Sequence, residues 1–202
     1  MSSLMMNIST GFILLALGAW FSTLITRQYI GRRLFVTAVL IVSLIVPVVD
    51  GNLWLWINGA VGELSIMSMI LLAGFILRSL AGRGFLLPST RRHLYFFILL
   101  TGALLFPATL GLTQFDPYVL GYGFEISLLL LSFSILYWIF KQRQLAMILW
   151  VVVAAGEAGI LFSQNTWDYL IDPLLWLVSP FLLLALLLDK RKANSSSRVE
   201  NL

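Results

Sequence analysis

The stretch ISTGFILLALGAWFSTLITRQYIGRR, residues 8–33, decides the fold class of this chain. It joins an apolar run over residues 8–25 to a short segment that holds Arg27, Arg32 and Arg33. An apolar run of this length is close to the roughly 20 residues that a helix needs to cross a bilayer. The arginines mark the following turn as cytoplasmic, because cytoplasmic loops retain Lys and Arg.

The same alternation of apolar runs and basic turns continues along the whole chain. All 13 Lys and Arg residues fall within residues 27–33, 78–92, 141–143 and 190–198, and the acidic turns between these segments contain none. This pattern predicts an all-α, polytopic membrane protein of seven helices, with its N-terminus outside and its C-terminus in the cytoplasm. The expected spans are about 8–25, 34–49, 60–77, 94–112, 122–140, 145–162 and 173–188. They form one transmembrane domain over residues 1–192, followed by a disordered tail over 193–202.

Composition supports a lipid environment and argues against nucleic acid as a partner. Of the 202 residues, 60% are apolar and 11% are charged, which leaves too little polar surface for a soluble globule. The net charge of +4 comes from bases beside apolar runs, without a basic face for nucleic acid, so none is predicted as a partner. The expected surroundings are a lipid bilayer, taken as a bacterial inner membrane from the small size and short loops, with a membrane-protein partner as a second expectation.

The residues present exclude several classes of membrane enzyme. Cysteine is absent, which removes disulfides and thiolate chemistry. The single histidine, His93, lies beside Arg91 and Arg92, away from the acidic turns. No HExxH, P-loop or GxSxG pattern occurs, so we expect no catalytic residues, metal or cofactor.

Two kinds of residue gather at the turns expected outside. Aromatic side chains there are typical of the interfacial belt of a membrane protein: Trp54, Trp56, Phe115, Tyr118, Tyr122, Trp167 and Tyr169. Carboxylates there are candidates for binding. Glu63 and Glu125 are expected in the first turns of inward-running helices, and Asp172, before Pro173, is expected as an N-cap. We expect Glu63, Glu125 and Asp172 to lie at one level and to form an acidic vestibule.

Glu157 is the fourth candidate, and its expected depth sets it apart. It lies in AAGEAG, residues 154–159, about five residues inside the predicted end of the sixth span, hence roughly 7 Å into the bilayer. An acid at that depth is expected to be neutral, paired or exposed to a cavity. Ala155 and Gly159 favour close helix packing around it, as Gly102 does in the fourth span. Binding of a partner and hydrogen bonding between helices are equally open roles for Glu157.

These features predict a small non-enzymatic membrane protein. The leading hypothesis is a carrier or accessory subunit whose acidic, outward-facing cavity takes a cationic, proton-linked or lipidic partner. One alternative is a structural subunit of an envelope membrane complex. A second alternative is an outward-facing enzyme that modifies lipids with paired carboxylates.

Overall fold

The prediction of an all-helical chain is confirmed. The structure, a computed structural model, describes residues 2–45, 47–48 and 51–199. This part of the chain contains nine α-helices and one 3-10 helix, Pro117–Tyr122. Two strands of two residues each, Pro47–Val48 and Gly51–Asn52, form a small antiparallel pair.

The α-helices follow one another along the chain with these bounds: α1 Ser2–Ile25, α2 Tyr29–Ile45, α3 Leu53–Val61, α4 Ile66–Ala81, α5 Pro88–Thr109, α6 Glu125–Ile139, α7 Arg143–Glu157, α8 Thr166–Leu170 and α9 Pro173–Val199. They belong to two compact units. The first comprises Met1–Phe85 with Val151–Leu170, and the second comprises Leu86–Trp150 with Ile171–Leu202. The prediction of one domain over 1–192 stays a prediction.

Three segments of the described residues are long and apolar enough to cross a membrane: Leu4–Ile25, Pro88–Thr109 and Thr166–Leu188. Two further apolar helices are shorter, α4 and α6. At 1.5 Å per residue, the 15 residues of α6 extend over about 22 Å, less than the roughly 30 Å of a hydrocarbon core. The structure thus supports a membrane protein, while the count of seven spans stays a prediction.

Several helices begin or end elsewhere than expected. The second span was expected to reach residue 49, but α2 ends at Ile45, and residues 46, 49 and 50 lie outside the described part. The third span was expected from residue 60, but α3 ends at Val61 and α4 begins at Ile66. Gly62 ends α3 with a positive φ of 68°, and the Ser65 hydroxyl accepts a hydrogen bond from the Ser68 amide as the N-cap of α4.

Helix α7 also ends early, at Glu157 instead of residue 162. Gly159 adopts a φ of +60°, its N–H donates to the Gly156 carbonyl, and the Ile160 N–H donates to the Ala155 carbonyl. This pair of bonds closes the helix in the manner of a glycine C-cap. In contrast, α9 continues to Val199, so residues 193–199 are helical where the sequence predicts disorder. No Gly or Pro follows Pro180 in this helix to stop it.

In the first unit, α1 packs against α2 and α4. Its end near the start of α4 is fixed by the buried Ser9 hydroxyl, which accepts a hydrogen bond of 2.9 Å from the Leu64 amide. At the other end, Arg32 and Arg33 donate to carbonyls of the last turn of α4. The final carbonyls of a helix lack intrahelical donors, and the two arginines supply them. These bonds therefore join the start of α2 to the end of α4.

In the second unit, α5 packs closely against α9 around Gly102. A Cβ at Gly102 would lie 2.2 Å from Cδ1 of Trp176, so only glycine leaves room for the indole. The Trp176 Nε1–H donates to the Leu99 carbonyl at 3.3 Å, and its ring lies 4.9 Å from the Phe106 ring. Close packing at Gly102 is thereby confirmed.

Pro180 interrupts the hydrogen bonds of α9 and is compensated locally. Proline has no N–H, so the carbonyl four residues earlier, that of Trp176, loses its usual helical donor. The Ser179 hydroxyl donates to this carbonyl at 2.8 Å. A helix in lipid needs such a substitute, because water cannot replace the missing donor.

Candidate functional site

Glu63 is the acidic residue whose surroundings in the structure differ most from a hydrated loop. It lies in the turn between α3 and α4, three residues before α4 begins, and not in the first turn of that helix as expected. Its Oε2 accepts a hydrogen bond of 2.7 Å from the Phe162 amide. Its Oε1 is shielded from solvent and accepts no hydrogen bond from any residue that the structure describes.

A second buried polar atom without a partner lies on α1, the helix that binds the residue after Glu63. Ser9, on α1, binds the amide of Leu64, the residue after Glu63. The neighbour of Ser9, Thr10, is fully buried, and its Oγ1 also lacks a hydrogen-bond partner within the described residues. Most buried polar side chains have a partner, so each exception calls for an explanation. Both exceptions in the first unit therefore adjoin the same contact between α1 and the α3–α4 turn.

Tyr169, on α8, fixes the chain segment that binds Glu63. Its hydroxyl accepts a hydrogen bond of 3.0 Å from the Leu161 amide and donates to the Ser163 carbonyl at 3.0 Å. Its ring is 1% exposed and lies beside Gly156. The phenol thus orders residues 161–163, which positions the Phe162 amide at Glu63.

Asp168 adds a second carboxylate to this neighbourhood. Its Oδ2 accepts a hydrogen bond from the Ser163 hydroxyl, and that hydroxyl accepts one from the Asn165 amide at 3.0 Å. The Asn165 side chain accepts from the Trp167 amide as the cap of α8. Asp168 and the Tyr169 hydroxyl both bind Ser163, next to the Phe162 amide that donates to Glu63. Two carboxylates and a phenol therefore share one end of the first unit.

Glu157 lies elsewhere in its helix than predicted. The sixth span was expected to continue to residue 162, but α7 ends at Glu157, whose side chain is exposed. The depth of this carboxylate in a membrane stays a prediction. Gly159, by ending the helix, places the carboxylate at a helix terminus. Its role in binding stays a prediction.

Glu125 and Asp172 belong to the second unit, and each lies at a helix start. Glu125 is exposed and is the first residue of α6, and its carboxylate folds over Gly123. Asp172 accepts a hydrogen bond of 2.8 Å from the Leu175 amide, with Pro173 first in α9, so its N-cap role is confirmed. The shared level of Glu63, Glu125 and Asp172 stays a prediction.

The hydrogen bonding of the Glu63 carboxylate is incomplete, and no metal-ligand cluster of the usual size surrounds it within the described residues. Among residues 2–45, 47–48 and 51–199, no group of three or more His, Cys, Asp and Glu side chains could hold a metal ion. What the geometry offers is one carboxylate oxygen held by an amide and a second oxygen without a protein donor. Such an oxygen is satisfied by a proton, a water molecule or a cation.

Sequence reasoning missed Tyr169, Ser9 and Thr10. Tyr169 and Trp167 were interpreted as part of an interfacial belt, yet they are 1% and 4% exposed, whereas Trp56 and Tyr122 are 54% and 64% exposed. Asn165 could have predicted the start of α8, since Asn favours the N-cap position of a helix. Nothing local distinguishes a buried tyrosine from an interfacial one.

Comparison of the chain with protein-family models, with curated proteins and with solved structures finds no match in any of the three.

Proposed function

We propose that this chain is a small, non-enzymatic, multi-pass membrane protein that binds a proton or a small cation at Glu63, as a carrier or as an accessory subunit. The observation that carries the proposal is Oε1 of Glu63, a shielded carboxylate oxygen without a hydrogen-bond donor among the described residues. A carboxylate oxygen that is shielded from water carries a free-energy cost unless a partner satisfies it. A proton or cation would supply that partner.

Several contacts support a prepared site. The Phe162 amide fixes one oxygen of Glu63 at 2.7 Å, and Tyr169 orders the segment that carries this amide. The second oxygen is left for a ligand.

The membrane arrangement proposed for this function keeps seven spans, with the N-terminus outside and the bacterial inner membrane as the location. The spans are α1, α2, α4, α5, α6, α7 and α9. The short ones, α6 and α7 with 15 residues each, require the bilayer to thin locally or the adjoining turns to enter the interface. On this arrangement Glu63 faces the outer side, and every basic segment faces the cytoplasm.

Reporter labelling of single introduced cysteines tests the arrangement, and the absence of native cysteine makes the background clean. Cysteines at positions 30, 86, 142 and 195 are expected to be protected from an impermeant reagent in spheroplasts, whereas those at the exposed positions 56, 115 and 164 react. The expectation follows from the retention of Lys and Arg in the cytoplasm. A robust reversal at one position would overturn the seven-span arrangement.

Replacement of Glu63 by glutamine tests the binding site. Gln keeps the shape of Glu and accepts from the Phe162 amide, but it has no negative charge to hold a cation and no acidic proton to release. We expect Na⁺, K⁺ or NH₄⁺ to stabilise the purified wild type by about 1.4 kcal/mol at ten times its Kd, or reconstituted protein to dissipate a proton gradient. Glu63→Gln is expected to lose either effect while keeping its thermal stability.

Asp116→Asn is the control, because it removes a negative charge from an exposed carboxylate that is not among the candidate binding residues, and Asn caps a helix as well as Asp does. It is expected to keep the ion or proton response and to change stability by no more than about 0.5 kcal/mol. The proposal fails if no cation stabilises the wild type and no proton gradient is dissipated. It also fails if Glu63→Gln retains the full response.

The carrier and accessory versions differ in partners. Affinity purification in a mild detergent is expected to return the chain alone if it is a carrier, and a stoichiometric second membrane protein if it is an accessory subunit. A structural subunit without ligand binding would return that partner from Glu63→Gln membranes as well, with no ion response in the wild type.

A further inference from the structure

The opposite end of the first unit from Glu63 carries a basic cluster formed by two turns. The segments are residues 26–33, between α1 and α2, and residues 78–85, at the end of α4. They contribute five arginines: Arg27, Arg32, Arg33, Arg78 and Arg83. No Asp or Glu occurs in residues 1–49 or 64–115, so neither segment supplies an acid to neutralise them.

Two of these arginines hold the turns together. Arg32 donates from Nε to the Thr26 carbonyl at 3.0 Å and from a terminal nitrogen to the Ser79 carbonyl at 3.0 Å. Arg33 donates from Nε to the Leu80 carbonyl at 3.2 Å. The Tyr29 hydroxyl lies 2.7 Å from the place of a Cβ on Gly82, whose φ of +70° itself favours glycine. These contacts bring the two basic turns to one place and keep them there.

The other three arginines point their charge outward. Arg27, Arg78 and Arg83 are exposed and, unlike the exposed Arg33 and the partly buried Arg32, donate no hydrogen bond that joins the two turns. Three exposed guanidinium groups on two joined turns, without an acid in either segment, create a local excess of positive charge. Guanidinium binds phosphate oxygens well, because its planar set of donors matches their geometry.

Exposed apolar side chains surround the same turns. Leu24 and Ile25 end α1 at 67% exposure each, Ile30 is 72% exposed, and Leu34 is 67% exposed. A soluble anion would gain nothing from this apolar rim. A phospholipid would, since its phosphate can bind the arginines while its acyl chains cover the apolar side chains, as basic sites beside transmembrane helices do.

We propose that Arg27, Arg78 and Arg83 form a binding site for the headgroup of an anionic phospholipid. The site is independent of Glu63, which lies at the other end of α4, about 24 Å away by the rise of its 16 residues. It requires only that the chain lies in a membrane. Arg32 and Arg33 act as positioning residues, because they fix the two turns through backbone carbonyls.

Native mass spectrometry of the full chain in detergent, with short-chain phosphatidylglycerol and phosphatidylcholine as probes, tests the proposal. The wild type is expected to retain phosphatidylglycerol in preference to phosphatidylcholine, with an affinity that falls as salt rises. The double variant Arg27→Gln/Arg83→Gln is expected to lose roughly 30-fold in phosphatidylglycerol affinity, from two basic contacts. Neither residue makes the bonds that join the turns, so folding should hold.

Lys141→Gln/Arg143→Gln is the matched control, because it removes two positive charges from a basic turn of the second unit. It is expected to retain phosphatidylglycerol as the wild type does. Equal loss in this control would show a response to net charge only and would overturn the site. Equal retention of phosphatidylcholine would also overturn it, as would inorganic phosphate displacing the lipid at matched concentration.

Discussion

Gly102→Leu is expected to destabilise the chain by about 3 kcal/mol, the upper range for overpacking a well-filled contact. The reason is the closeness of α5 and α9, since even a Cβ at this position would lie 2.2 Å from the Trp176 ring. The indole cannot simply rotate away, because its Nε1–H donates to the Leu99 carbonyl and its ring lies against Phe106. The measurement is the thermal unfolding of purified protein in detergent.

Ala103→Leu is the control for this substitution. Ala103 is the next residue of the same helix and is exposed, so the added side chain meets lipid or detergent and little change is expected. A rescue experiment adds specificity, since Trp176→Leu should recover part of the loss in Gly102→Ala, with a coupling of about 0.5 to 3 kcal/mol for residues in contact. Equal stability of Gly102→Leu and Ala103→Leu would contradict the close packing of α5 with α9.

Tyr169→Ala is expected to cost about 3 to 5 kcal/mol, in the range for removal of a fully buried aromatic side chain. Tyr169→Phe keeps the ring and is expected to cost about 1 to 3 kcal/mol, because the Leu161 amide loses its acceptor in a buried place. Both substitutions release residues 161–163, which carry the amide that binds Glu63. Thermal unfolding gives the stability, and limited proteolysis within residues 158–165 reports the loosened segment.

Tyr122 supplies the matched control, because it is 64% exposed at the end of the 3-10 helix. Tyr122→Ala and Tyr122→Phe are expected to change stability by no more than about 0.5 kcal/mol. If Tyr169→Phe matches the wild type in both stability and proteolysis, the phenol does not order the segment. The cation response of Tyr169→Phe then indicates whether Glu63 depends on that segment at all.

The chain's local patterns predict most of its helices but not their ends. Each expected span contains a helix because a long apolar run has few other ways to satisfy its backbone. Asp172 before Pro173 was predicted as a cap and is one, since capping depends on residues within one turn. Helices α3 and α7 end next to Gly62 and Gly159, which adopt a positive φ. The sequence does not predict these ends, because a glycine inside an apolar run can adopt either sign of φ.

For the candidate site, too, the sequence indicates a residue but not its contacts. The sequence identified Glu63 among its acids and assigned it to a helix start, the usual local explanation. Its hydrogen bond to the Phe162 amide joins positions 99 residues apart, and the order of that segment depends on the buried Tyr169. The sequence predicts Glu157 inside a helix that continues to residue 162, whereas α7 ends at Glu157.

The sequence by itself determined that this chain is helical, apolar and suited to a membrane, because these properties depend on composition and on periodic local pattern. It also determined that Arg and Lys collect in four short segments, from which the proposed orientation follows. Only the tertiary structure decided that Glu63, Asp168 and Tyr169 share one end of a unit, and that Arg32 and Arg33 join two turns. Contacts of this kind join residues far apart in the chain, and their free energy depends on which atoms are buried together, which no local pattern records.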